Sequence, residues 1–281
     1  MSRRYAYDTW NRDRVERTLF GILRPVVIVG LLVAVLLPFY YMLLLSFKPI
    51  ESLLRDPGSL WLAPGEFTLS TYEKVLRSVE QGGQGFASFL ANSGFVSLLS
   101  VLLALAIAIP GAYAVARLPF FGRRQVNGLF VATYLFPAIV LAIPLFVLFT
   151  RMGLRGSLVG LALVYIAQTV PVAIYMLRNY FDTIPVSIEE SAMMDGLGTM
   201  GTLRRITLPL ALPSIMATGL FVFMIAWNEF LFALLFLVDR RESWTVSLGL
   251  AQLSGSIEVP TTVLMAGSVV ITLPVIVLFF A

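Results

Sequence analysis

The sequence predicts an all-α polytopic membrane protein with six transmembrane helices, and three observations carry that expectation. Hydrophobic residues make up 58% of the 281 residues and charged residues only 13%, which is far more apolar than a soluble domain. The apolar residues fall into runs of about twenty, long enough to cross the ~30 Å hydrocarbon layer of a bilayer. The arginines gather at the ends of those runs, where they act as topology determinants. The net charge of +4 and pI near 9.5 do not point to nucleic acid, because no basic, aromatic-rich face is formed. There is no cysteine and no histidine, so disulfides, thiolate metal sites and imidazole relays are excluded. The only lysines, Lys48 and Lys74, lie outside any Gly-Lys-Ser/Thr context, so the chain carries no phosphate-binding P-loop. No catalytic residue and no metal ligand is assigned.

Residues 1–24 read as a polar, arginine-rich tail (Arg3, Arg4, Arg12, Arg14, Arg17, Arg24) without the small-residue cleavage site of a signal peptide, so the first apolar run is expected to stay as an anchor. The remainder, 25–281, reads as the transmembrane domain. Its first span is Pro25 to Phe47. A polar loop, 48–85, follows, with Pro57, Gly58, Pro64, Gly65 and Gly82-Gly83 marking turns. Within it Ser70 and Glu73 have capping-box spacing, and Tyr72, Val75, Leu76 and Val79 predict a short amphipathic helix. The second span, Phe95 to Ala116, is expected to be interrupted at Pro110-Gly111. The third runs from Val126 to Phe149 with Pro137 and Pro144 inside it, and the fourth from Ser157 to Leu177 with Gln168 and Pro171. Proline inside a span is tolerated where neighbouring helices re-satisfy the freed carbonyls. The fifth span is Leu212 to Val238, and Ser254-Gly255-Ser256 helps form the loop after it. The sixth starts near Thr262 and is still apolar at Ala281. Flanking charges normally follow a span, so a cytoplasmic tail is expected beyond that point.

The one long polar interval of the second half is 178–211. Ser187 and Glu190 have the spacing of a capping box, which predicts a helix starting at Ile188, and Gly196 is placed to end it in a left-handed turn. A second short helix is expected from Thr199 to Leu208, stopped by Pro209. On local chemistry alone an ordinary loop is an equal reading. However, Glu190-Ser191-Ala192, three residues, Gly196, nine residues and Ile206-x-Leu208-Pro209 resemble the EAA loop of ABC importer permeases. The family pattern has a second alanine where this chain has Ser191. The exit of the second span, Gly111 to Arg124, resembles the sugar-permease branch. Ala226-Trp227-Asn228-Glu229-Phe230-Leu231-Phe232-Ala233-Leu234 is similar to a stretch in permeases of carbohydrate importers of the maltose type.

The resemblance implies an inner-membrane permease subunit of an ATP-driven sugar importer. It further implies a second, different permease, a homodimeric cytoplasmic ATPase, an extracytoplasmic sugar-binding protein and a bilayer as partners. No cofactor is expected on this chain, because ATP and Mg would sit on the partner ATPase. Loop 178–211 would be cytoplasmic and present a coupling helix to a cleft of that ATPase through Glu190, Ser191, Ala192, Asp195 and Gly196. Ile188 and Met194 are expected to hold the loop to the permease. Loop 48–85 would be extracytoplasmic. With both termini cytoplasmic, twelve arginines fall inside and eight basic residues outside, a modest bias in the expected direction.

The candidates for the translocation path or its gate are Asn92, Gln168, Asn228 and Glu229. Glu229 is ionisable inside a span, which is by default a functional hypothesis. Asn228 lies roughly 22 Å along a helix from Pro213, in the outer part of the bilayer. Packing between spans or gating is the reading preferred over direct sugar contact, because a substrate-lining site needs several polar groups and this run offers few. Asp195 could pair with an arginine of the ATPase or be a solvated loop carboxylate. An ion-coupled secondary transporter would need more intramembrane ionisable groups and a repeat of broken helices. A non-transporting scaffold would not need the glycine-ended loop.

Overall fold

A computed structural model describes residues 5–135, 137–256 and 259–280, and every regular element among them is helical. Arg3, Arg4 and Ala281, which entered the readings of the two chain ends, lie outside the described residues. The chain divides into two compact units, Met1–Tyr72 with Pro260–Val269, and Glu73–Val259 with Val270–Ala281.

In the first unit, α1 (Tyr5–Ser46) is one helix of 42 residues that runs through both the polar tail and the first apolar run. Arg24 therefore marks a change of composition and not a break, since Pro25 is accommodated inside the helix. Not one residue of its most apolar window is buried within the chain. After α2 (Ile50–Arg55), the chain is held by a buried cation that composition did not reveal. Lys48 is 1% exposed, with its Nζ 3.9 Å from a Glu66 carboxylate oxygen. Glu66 also accepts the Ala63 N–H at 2.9 Å, and that bond, ahead of the nearby cations, holds its carboxyl below the usual range. The expected capping box of α3 (Ser70–Leu76) does not form. Thr68 Oγ1 accepts the Ser70 N–H instead, and Glu73 pairs with Arg77 one turn on.

The second unit is built on α4 (Phe86–Arg117) and α7 (Leu158–Phe181). α4 starts nine residues before the expected span and passes through Pro110 without a break. Its buried face carries a stripe of small residues: Ser93, Ser97, Ser100, Ala104, Ala108, Ala112 and Ala116 recur at three- and four-residue spacing. Such a stripe lets two backbones approach closely in a membrane, where packing replaces the hydrophobic effect. The two helices run parallel. Val96 shares a core with Leu161 and Val164 near one end, and Tyr113 shares another with Leu177 and Phe181 near the other.

The third expected span is cut into α5 (Arg123–Leu135) and α6 (Ala138–Arg151), with Pro137 as the N-cap of α6. A proline disfavours helical backbone at the residue before it. α7 starts on Ser157, whose hydroxyl accepts the Gly160 N–H. The polar loop holds α8 (Val186–Met194), α9 (Thr199–Thr202), a π-helical turn (Leu203–Thr207) and α10 (Leu208–Leu210). Pro209 does not stop this arm: helical backbone runs from the π turn through Leu208 into α10, with the proline in its first turn.

The fifth expected span is two helices, α11 (Leu212–Asn228) and α12 (Leu231–Leu237), with an extended residue at Glu229 between them. α13 (Val246–Ser254) occupies part of what reads as loop, burying Val246, Leu248 and Leu253. α14 (Thr261–Phe280) is the last helix. Among the described residues, four helices are long and apolar enough to cross a membrane. The pair Thr199–Leu210 and Leu212–Asn228, bent by 79°, raises the number to five. The count of six expected from the apolar runs is not reached by length alone, because Pro137 divides the third run and Glu229 the fifth.

Candidate functional site

α8 projects from the end of the unit where α4 and α7 finish. Its start is not a capping box: Pro185 is the N-cap, no side chain caps the helix, and Ser187 O accepts the Ser191 hydroxyl. Its end is as expected. Leu197 N–H reaches Ala192 O and Gly196 N–H reaches Met193 O, the paired bonds of a Schellman motif. Gly196 takes φ +89°, and a Cβ there would meet nothing within 4 Å. The glycine is therefore required by backbone conformation and not by space.

Adjacent residues of a helix point about 100° apart, and this separates the two glutamates. Glu189 is 2% exposed, whereas Glu190, Ser191 and Asp195 are exposed. Ala192, three residues after Glu189 and on the same face, is buried within the chain at 7% and so leaves the outward face assigned to it. Ile188 and Met194 are also placed opposite to expectation: they are 42% and 88% exposed, and Met193 is exposed beside them. The free surface of α8 therefore carries Glu190, Ser191, Asp195, Ile188, Met193 and Met194, which is both more apolar and differently composed than the spacing implied.

Glu189 anchors the helix. Arg117 Nε donates to both of its carboxylate oxygens at 3.1 Å, Tyr113 Oη donates to one at 3.2 Å, and Thr207 Oγ1 donates to the other at 3.2 Å. Arg117 Nη2 also donates to Phe181 O at 2.6 Å and Ile184 O at 2.9 Å. Four segments therefore meet on one ion pair: the end of α4, the end of α7, α8 and the π turn. Sequence reasoning missed it. The available signal was Tyr113 and Arg117 one turn apart on α4, with an adjacent pair of glutamates that cannot both face outward.

The four path residues do not form one cluster. Glu229 accepts the Tyr165 hydroxyl at 2.6 Å and the N–H groups of Phe232 and Ala233 at 2.9 and 3.2 Å. It thereby caps α12 and ties the break to α7. Its own carbonyl accepts the Ser247 hydroxyl. Asn92 Nδ2 donates to Glu242 O and Trp244 O, and Ser93 Oγ next to it accepts the Val246 N–H. Asn92 and Glu229 thus brace the same segment, 242–247, from two sides. Asn228 Nδ2 is used within its own helix, on Met224 O. Gln168 is different: its Nε2 is buried with no partner.

The sequence matches the family model described as "Binding-protein-dependent transport system inner membrane component" over residues 100–281. It is similar to an inner membrane ABC transporter permease protein of Escherichia coli (strain K12), 37% identical over 88% of this chain and 86% of that protein. A trehalose/maltose transport system permease protein of Thermococcus litoralis is 34% identical over 94% of this chain and 92% of its own length. Among solved structures, a bacterial ABC transporter involved in the import of the acidic polysaccharide alginate contains a similar chain. The TM-score is 0.78 at 25% identity, covering 94% of this chain and 95% of that one.

Proposed function

The chain belongs to the family of inner-membrane components of binding-protein-dependent transport systems, and from that membership we infer that it is the permease subunit of an ATP-driven ABC importer for carbohydrate. The relatives named for trehalose, maltose and diacetylchitobiose support a disaccharide, a short oligosaccharide or a related sugar as the cargo. The chain performs no covalent chemistry. It forms half of a translocation path in the bacterial inner membrane beside a second, different permease. Two copies of an ATPase subunit hold the ATP and Mg on the cytoplasmic side, and an extracytoplasmic binding protein delivers the sugar. The N-terminus is cytoplasmic.

The single observation that carries the mechanism is the form of α8. It is a short helix, too short and polar to enter lipid, that offers an exposed face and is fastened through Glu189 to the ends of two long helices. α8 is the coupling helix. Glu190, Ser191 and Asp195 meet the ATPase cleft, with Ile188, Met193 and Met194 as the apolar part of the contact, while Ala192 and Gly196 set its packing and its end. Closure of the ATPase dimer on ATP displaces α8 and shifts the permease between inward-open and outward-open states. Asn92 and Glu229 act on the gate by positioning segment 242–247, and Gln168, whose Nε2 is buried without a partner, belongs to the path or its gate.

The natural absence of cysteine makes the test direct. Ser191→Cys, paired with one cysteine in the ATPase cleft, is expected to crosslink in the assembled complex, with a yield that changes on adding ATP. If Ser191→Cys never crosslinks while a cysteine placed in loop 48–85 does, both the topology and the docking assignment fail.

A further inference from the structure

We propose that Arg117 is a positioning residue for transport: its guanidinium locks the coupling helix to the ends of α4 and α7, so that displacement of α8 is delivered to the spans and not absorbed at the loop. The proposal rests on the docking role assigned to α8 above. Its basis is the number and direction of the bonds on one planar group. Nε holds the Glu189 carboxylate, Nη2 holds Phe181 O and Ile184 O, and Nη1 lies 3.9 Å from Asp182. The Arg117 side chain is 10% exposed and that of Glu189 3%.

Phe181 O, which also accepts the Ile184 N–H, ends α7, and Ile184 O lies three residues beyond it, where the helix dipole also favours a cation. Glu189 in turn is saturated, with Tyr113 and Thr207 filling the positions that Arg117 leaves. A buried ion pair is weak support for stability, since a well-packed apolar pair of the same shape holds as firmly. What the fork adds is direction. It fixes α8 in angle as well as in distance, because its acceptors lie on two segments, the Glu189 carboxylate of α8 and the carbonyls at and just after the end of α7. Without it, contacts through Ala192 and Ile184 remain, and these let α8 stay in place yet swivel. Lysine carries its three donors on one compact nitrogen and cannot reproduce the planar fork that reaches the carboxylate and both carbonyls at the same time.

The test uses the complete importer, two permeases, ATPase and binding protein, in proteoliposomes. Two quantities are read: crosslink yield from Ser191→Cys to the ATPase, and sugar taken up per ATP hydrolysed by the assembled complex. Arg117→Lys is expected to retain the crosslink and lower sugar per ATP about tenfold, the effect of losing charge-assisted bonds at a coupling joint. Glu189→Gln keeps the shape and is expected to lower it about threefold. A merely structural role would reduce the amount of assembled complex and leave the ratio per complex unchanged. An unchanged ratio in assembled Arg117→Lys overturns the proposal. Where that variant does not assemble, an unchanged ratio in Glu189→Gln does so instead. Loss of the crosslink in the chain carrying only Ser191→Cys counts against the docking assignment and not against the clamp.

Discussion

At the scale of single residues, Glu229 shows how a membrane-buried carboxylate can be consumed by structure. Its oxygens take one hydroxyl and two backbone N–H groups, each of which would otherwise lack a partner where the helix breaks. Glu229→Gln retains an acceptor oxygen and should preserve most transport. Glu229→Leu strands all three donors, at about 1–3 kcal/mol each, and should lower the thermal stability of the assembled complex together with its transport. Transport abolished in Glu229→Gln, with assembly and unfolding temperature unchanged, would instead show that the charge itself is used in the path. The sequence made Glu229 visible because a charge in an apolar run stands out. It could not show Tyr165, 64 residues away, as the partner. Nor could it distinguish Glu189 from Glu190, because motif spacing specifies a register along the chain and not which side of the helix faces the protein. Arg117 stands out in the sequence as a basic residue at a span end within the Gly111–Arg124 stretch, and its role depends on carbonyls that no sequence pattern displays.

At the scale of elements, the glycine end of α8 and the Ser157 start of α7 were legible, whereas the expected capping boxes and most proline breaks were not. Gly196 adopts the left-handed conformation expected of it, because few other residues reach it without strain. Gly196→Val forces a β-branched side chain to φ near +89°, a cost of about 1–2 kcal/mol, in the turn that orients α8. The variant should still insert and assemble, and should hydrolyse ATP with less sugar moved per cycle. Wild-type coupling in proteoliposomes would show that the turn tolerates other geometries. The proline expectations fared differently. Pro110 was expected to interrupt α4 and does not, whereas Pro137 does part α5 from α6. Whether a proline breaks a helix depends on whether neighbours can take up the freed carbonyl, and that is a property of packing. Both serine–glutamate capping boxes failed for a related reason: Glu73 and Glu189-Glu190 had other partners or were directed elsewhere by the helix they were meant to start.

At the scale of the whole molecule, the apolar runs gave the class correctly, while helix length alone does not establish all six crossings. A run of apolar residues measures the thickness it could cover, and two of the six are covered by pairs of shorter helices. The topology is open to direct measurement. Between loop 48–85 and α8 the proposed path crosses the membrane three times, through α4, α5 with α6, and α7. Ser59→Cys should therefore react with a membrane-impermeant maleimide added to intact cells, and Ser191→Cys only after the membrane is opened. Labelling of both from outside would overturn this topology.

The 79° bend between Thr199–Leu210 and Leu212–Asn228 gives the docking arm the form of a crank on a shaft. Twelve residues at ~1.5 Å each make an arm of roughly 18 Å, and because it stands nearly square to α11, almost all of that length is leverage. A twist of α11 by about 10° about its own axis sweeps the far end of the arm through about 3 Å. Under the proposed docking mode, a displacement of a few ångströms at the ATPase surface would become torque on α11. The helix that ends at Glu229 can then turn without sliding, which changes the side chains it presents inside the membrane while its depth stays constant.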